Sequence, residues 1–167
     1  PYLVGATGPG FDDIIKQPGD RVIQPGDLLM FDTGSTFDGY FSDFDRYVSF
    51  GRADDDARRA YDTVWAATEA GLAVIRPGIT TSDLWRAMAN VLEEGGPAGG
   101  PLGNSVGRLG HGLGMQVTEW PSNTAGDGTV LVEGMVLTLE PSLTWAPGRM
   151  MVHEENQIGR ASCRERV

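Results

Sequence analysis

A chain of 167 residues with a formal net charge of −10 and a mean hydropathy of −0.21 suits one globular domain with an apolar core. Its acidity argues against nucleic acid as a partner. No apolar run approaches the roughly 18 residues of a membrane helix, and no basic, apolar leader opens the chain, so a cytoplasmic location without membrane contact is the expectation.

The opening "PYLVGATGPG" lacks an initiator Met and any evident first element, which suggests a fragment. "QPGD" occurs at 17–20 and again at 24–27. Pro-Gly is turn punctuation, so two turns are expected around a short strand, "RVI". "DLLMFDTG" reads as a buried strand, Asp38-Gly39 as a two-residue hairpin turn, and "YFSDFDRYVSFG" as the returning strand. Residues 53–76 change to helical period, with Tyr61, Val64, Trp65, Thr68, Leu72 and Ile75 on one face. Asp54, Asp55 and Asp56 crowd its first turn, where they suit the helix dipole and cap. Arg76-Pro77-Gly78 ends that helix. Thr80 and Asp83 resemble the capping box of a second helix, whose apolar face is Leu84, Met88, Val91 and Leu92. A Gly/Pro-rich loop follows at 95–103. Strands return in "MVLTLEPSLTW" and "RMMVHEENQ", joined by a turn at Pro147-Gly148. Strands, two helices, then strands indicate an α+β domain with helices laid on a mostly antiparallel sheet.

The last ten residues, "IGRASCRERV", break this pattern. They back-translate without interruption to a string resembling a common short-read sequencing adapter. Residues 158–167 therefore read as a non-native tail, and residues 1–157 as the domain. Cys163, the one cysteine, then carries no information on redox compartment or nucleophile. Without the tail's three arginines and one glutamate the net charge moves from −10 to −12.

In "FDTGSTFDGYFSDFDR", Asp32 and Asp43 stand eleven residues apart among apolar and small neighbours. A two-residue turn at Asp38-Gly39 pairs positions whose numbers sum to 77. Asp32 then opposes Asp45, and Asp43 lies diagonal to Asp32. Strand side chains alternate, so Asp43 and Asp45 share a face while Arg46 points the other way. Three carboxylates converging without a cation are unfavourable, and a bound metal is the economical counter-charge. "GHGLG" sets His111 in a glycine frame where backbone can approach closely. "LTLEPS" ends an apolar strand with Glu140, and "MMVHEEN" offers Glu154 in another. Carboxylates suit hard cations, and one imidazole shifts preference towards Mn, Fe, Co or Zn.

In type and order, Asp32, Asp43, His111, Glu140 and Glu154 resemble the five ligands of the pita-bread metallopeptidase superfamily. That superfamily includes methionine aminopeptidase, Xaa-Pro aminopeptidase, prolidase and creatinase. "GDLLMFDTG", "DGYFSDFDR", "GHGLG" and "EGMVLTLEP" resemble its Xaa-Pro aminopeptidase branch, and the likeness runs from about residue 20 to residue 157. The resemblance implies a pita-bread catalytic domain, partial here because the N-terminal domain is absent, with a curved antiparallel sheet and helices on its outer face. It implies two divalent ions (Mn, Fe, Co or Zn) bridged by Asp43 and Glu154, with Asp32 on one and His111 and Glu140 on the other. It also implies a homodimer, a small-molecule or short-peptide substrate, and a metal-bridged hydroxide that attacks an amide carbonyl, with Glu154 as proton acceptor.

Three departures accompany the likeness. Thr118, in "QVTEWPS", stands where the peptidases carry a Val-His-Glu histidine. A second peptidase histidine, expected near Ile14, does not occur. Asp45 stands where the family has Thr. His153, the other histidine, should face away from Glu154. Thr118 and Asp45 are therefore candidate catalytic residues, and Tyr40 and Trp120 candidate substrate contacts, Trp120 as an aromatic face for a cation. Slow turnover of Xaa-Pro peptides is expected. The alternatives are a non-peptidase relative such as the dimethylsulfoniopropionate lyases, or a non-catalytic binding module.

Overall fold

The computed structural model describes residues 1–8, 19–95 and 107–159, and the backbone of 164–166. Strand β1 (Tyr2–Thr7) and strand β5 (Phe44–Ser49) flank β2 (Leu28–Gly34) in a three-stranded antiparallel sheet. β1 was not expected. Its Leu3 is exposed and only Ala6 is deeply buried, so its apolar residues do not alternate cleanly.

The expected "RVI" strand does not form. Arg21 instead grips Asp27 through two hydrogen bonds of 2.6 and 2.9 Å, and the Gln24 N–H donates to the same carboxylate at 2.7 Å. Side-chain bonds thus replace a ladder in a segment whose Val22 is solvent-exposed. Gln17 and Pro18 of the first "QPGD" lie outside the described residues.

The hairpin tip is β3 (Thr36–Phe37) and β4 (Tyr40–Phe41). Asp38 and Gly39 between them both have positive φ, 50° and 86°, the type I′ geometry that matches strand twist. The register is the expected one: partner numbers sum to 77 from Phe37↔Tyr40 through Asp32↔Asp45 to Leu28↔Ser49.

Helix α1 (Asp55–Val74) begins on Asp54, whose carboxylate accepts from the Ala57 N–H at 2.6 Å. Helix α2 (Thr81–Gly95) begins on a capping box: the Thr80 N–H donates to Asp83, and the Asp83 N–H to the Thr80 hydroxyl. The helices pack on each other and bury Val64, Leu72, Leu84, Met88 and Leu92. Trp65, expected on that face, sits at its rim instead.

The second sheet has the order β12 (Arg164–Arg166), β11 (Glu155–Gly159), β8 (Val136–Leu139), β6 (Arg108–Gly112), β7 (Glu119–Thr124). β9 (Ser142–Ala146) and β10 (Arg149–Val152) form a separate ribbon closed at Pro147-Gly148, and α1 packs on it while α2 packs on β7. β7 was not expected because "EWPSNT" is polar and holds a proline. It lies at the edge of the sheet, where a missing N–H is tolerated.

The two long apolar stretches of the C-terminal part are each broken in the middle, at Glu140-Pro141 and at His153-Glu154. Pro141 has no N–H to continue the ladder. Ile158 and Gly159, which open the segment read as a tail, complete β11. Cys163 and most of the Gly/Pro-rich loop lie outside the described residues. Among the described residues no helix is long and apolar enough to cross a membrane.

Candidate metal centre

Regular ladder positions Asp32 on β2 directly opposite Asp45 on β5. Asp43, Glu140 and Glu154 occupy irregular positions, each beside a strand end. Leaving the pleat lets a carboxylate turn inward without obeying strand alternation. Such positions need other anchors. The Asp43 N–H donates to the side-chain oxygen of Asn156 at 3.1 Å, and the Asn156 amide donates back to the Asp43 carbonyl. The Glu140 N–H donates to the Leu109 carbonyl at 3.1 Å. Asn156 therefore ties the first sheet to the second at the site.

His111 is buried on β6. Its Nδ1 lies 2.8 Å from the Gly112 carbonyl, which can only accept, so Nδ1 carries the proton. Nε2 is thereby left with a lone pair facing Asp43 Oδ2 at 3.8 Å and Glu140 Oε2 at 3.9 Å. The glycines around it serve neighbouring strands rather than a ligand. A Cβ on Gly110 (φ 147°) would meet the Thr138 carbonyl oxygen at 2.1 Å, and one on Gly112 the Trp120 carbonyl oxygen at 2.3 Å.

Two sets of donor atoms result. Asp43, His111 and Glu154 present ligand atoms all within 4.8 Å of one another, and so do Asp32, Asp45 and Glu154. Glu154 belongs to both. Together with Glu140 they line a cleft of about 310 Å³, which Tyr2, Phe41, Arg108, Val117 and Thr118 complete.

Burial is the main electrostatic fact of this cleft. With the neighbouring carboxylates adding to it, burial pushes the Asp32 carboxyl up to about 6 and the Asp45 carboxyl up to about 8. Burial raises Glu154 well above the ordinary range, with Glu140 and Asp45 adding to it. It raises Glu140 and Asp43 as well. Opposing it at Glu140 are His111, when its ring carries a second proton, and then Arg108, whose Nε lies 3.1 Å from Oε1. Opposing it at Asp43 is the hydroxyl donated by Tyr2. These partners do not satisfy the cluster. Asp32 Oδ1 and Glu154 Oε1 are buried without a hydrogen-bond partner among the described residues. Unpartnered carboxylate oxygens beside one available imidazole nitrogen fit a divalent cation.

Of the remaining candidate residues, Thr118 lines the cleft. Tyr40 at the hairpin tip is 62% exposed and Trp120 on β7 is 69% exposed, and neither lines it. His153 turns away and bonds Thr68 Oγ1 at 3.0 Å. Arg46 also faces away: it pairs with Glu155 at 3.1 Å and donates to the carbonyls of Asp45 and Glu154. The position near Ile14 lies outside the described residues. Sequence reasoning missed Tyr2, Arg108 and Asn156. Only Asn156 carried a signal, as a polar residue two places after Glu154 in a buried strand.

The chain matches the sequence profile of metallopeptidase family M24 over residues 4–159. It belongs to that family. As an M24 chain it is 36% identical to the Xaa-Pro dipeptidase of Lactobacillus delbrueckii subsp. lactis over 132 residues, 78% of this chain and 34% of the relative. It is 36% identical to a probable dipeptidase, PepE, of Mycobacterium tuberculosis over 149 residues, 89% of this chain and 38% of the relative. A prolidase from Thermococcus sibiricus superposes with a TM-score of 0.87 at 28% identity, covering 98% of this chain and 44% of that one. The fold is therefore the pita-bread α+β fold of M24, built, among the described residues, of mostly antiparallel sheets and two helices. The chain spans about a third of the length of the curated relatives it matches.

Proposed function

We propose that this M24 domain is the catalytic part of a metal-dependent hydrolase of the Xaa-Pro peptidase type, acting on short peptides or similarly small amides. The sharing of Glu154 between two ligand triads, one buried and the other buried except for the partly buried Asp32, carries this reading. Asp43, His111, Glu140 and Glu154 would hold one divalent ion, and Asp32 with the shared carboxylates a second, drawn from Mn, Fe, Co or Zn. The ions would supply Lewis acidity and lower the pKa of a water between them. Glu154 accepts the proton that the attacking water loses, since its Oε1 is buried and otherwise unpartnered. Arg108 and Tyr2 keep Glu140 and Asp43 oriented. Thr118 offers a hydroxyl in the cleft, which donates a hydrogen bond but cannot supply the positive charge of an imidazolium. The family resemblance also supports a homodimer, and a cytoplasmic location is proposed with it. Residues 158–167 are proposed as adapter-derived on their back-translation alone, although Ile158 and Gly159 complete β11 and fall within the family match; source DNA reading beyond codon 157 tests the point.

The test is hydrolysis of Xaa-Pro dipeptides by the intact protein loaded with Mn or Fe. Expected is hydrolysis that a chelator abolishes, with kcat/KM below about 10⁴ M⁻¹s⁻¹. A higher value would show an ordinary Xaa-Pro peptidase in which Thr118 and Asp45 do not matter, and no metal-dependent amide cleavage would sink the reading. Asp45 beside Glu154 and Thr118 without an imidazole favour one alternative, metal-assisted elimination from a small cationic substrate. An alkene product, identified by mass spectrometry, would establish it.

A further inference from the structure

Granting the metal-dependent function proposed above, we infer that Asp45 is itself a direct cation ligand. With Asp32 and Glu154 it builds an all-oxygen subsite whose metal preference differs from that of the subsite holding His111.

The register places Asp45 opposite Asp32, and the ligand atoms of Asp45, Asp32 and Glu154 all lie within 4.8 Å of one another. Asp45 is 3% exposed. Crowded acids alone do not make a site, but Glu154 adds an independent observation. It too is 3% exposed, and its Oε1 has no hydrogen-bond partner among the described residues. A buried, acceptor-only oxygen facing two further carboxylates has no stable partner except a cation or a proton donor.

The adjacent guanidinium does not fill that role. Arg46 Nη1 donates to the carbonyl of Asp45 at 2.6 Å, and Nη2 pairs with Glu155 at 3.1 Å. Arg46 thus acts on the Asp45 carboxylate only as a charge at a distance, and a direct partner for that carboxylate must come from inside the cleft. Lining it are the carboxylates of Asp32, Asp43, Asp45, Glu140 and Glu154 against one guanidinium, Arg108. When all are ionised their charge is minus four, the charge that two divalent cations neutralise. A neutral residue at position 45 would leave minus three.

Donor chemistry then separates the two subsites. Asp32, Asp45 and Glu154 offer carboxylate oxygen alone, which favours hard cations such as Mn²⁺ or Mg²⁺. Asp43 and Glu154 beside the His111 imidazole favour a borderline ion such as Zn²⁺ or Co²⁺. The chain is thus built for a mixed pair, with Asp45 responsible for the hard partner.

The experiment uses the intact protein, stripped of metal and given one equivalent of Zn²⁺. Mn²⁺ binding is then followed by electron paramagnetic resonance in the wild type, Asp45→Asn and Asp45→Thr. Expected is one Mn²⁺ per chain beside the retained Zn²⁺ in the wild type, and Mn²⁺ affinity at least about tenfold weaker in both variants. Zn²⁺ retention by the variants reports that they are folded. Mn²⁺ affinity within about twofold of wild type in either folded variant overturns the role of Asp45 and leaves the metal-dependent function standing. A wild type that binds neither ion overturns both.

Discussion

The chain's two histidines, His111 and His153, are both buried and both lie close to glutamates, yet their surroundings differ completely. His111 faces Asp43 and Glu140 with an available Nε2, in a cleft where carboxylate oxygens lack partners. His153 is enclosed by aromatic rings, with Trp65 at 4.7 Å and Tyr61 at 5.9 Å, and it bonds a helix hydroxyl. One imidazole sits where charge is left over, the other where charge is already settled by Arg46 and Glu155. Residue type therefore says little about role, and the balance of charge around the ring says much.

The largest effect that would break this contrast is expected at Glu154. Glu154→Gln removes the carboxylate common to both triads and should lower kcat by at least about 10³-fold, with loss of bound metal by elemental analysis. Retention of both metal and rate would mean that the cleft is not the centre of the chemistry.

Next in size is a pH effect confined to the metal-free protein. Asp32 and Asp45 are pushed up to about 6 and about 8, chiefly by burial. Their folded values exceed the ordinary carboxylate value of about 4, so the unfolded chain releases these protons first as pH rises. Their contribution to stability is full below pH ~4 and is lost as pH climbs through about 6 and about 8. The metal-free Tm should fall between pH 5 and pH 8, and saturating Mn²⁺ should flatten that fall. A metal-free Tm that is level or rising over this range would contradict the account.

His153→Ala should cost about 1–3 kcal/mol, read as a lower Tm, because it opens a cavity beside Trp65 and Tyr61 and leaves the Thr68 hydroxyl with the Val64 carbonyl alone. Metal stoichiometry should not change, whereas His111→Ala should lower it. A stoichiometry that drops equally in both variants would erase the distinction between the rings. The smallest change is expected for Arg46→Met on the reverse face, where the guanidinium is half-exposed and its nearly buried partner Glu155 keeps His153 beside it, at about 1 kcal/mol. A far larger loss of stability would show that the reverse face governs the cleft more strongly than its exposure suggests.

Much of this was legible in the residues. Asp38-Gly39 admits one common turn, and that turn sets the pairing that brings Asp32 and Asp45 together. The helix caps were legible because each uses a side chain within a few residues of its target. The order of Asp32, Asp43, His111, Glu140 and Glu154 marked the site because acids are costly in apolar strands unless something meets them. Tyr2 and Arg108 were not legible. Their roles depend on which strands become neighbours across 41 and 32 residues of chain, and neither residue type is unusual where it stands. The "RVI" segment failed for the opposite reason: a turn signal was present, but Arg21 and Asp27 took up the local bonding.

The common sum of 77 through the first hairpin has one further consequence. The tip works as a parity control on the residues below it. Inserting or deleting a single residue there would slide one strand by one place and turn its alternate faces over. A deletion would place Arg46, and an insertion Phe44, in the inward position of Asp45, where the cleft calls for a carboxylate. Substitutions that keep positive φ at positions 38 and 39 leave that phase untouched. Evolution can therefore vary the letters of this loop far more freely than its length.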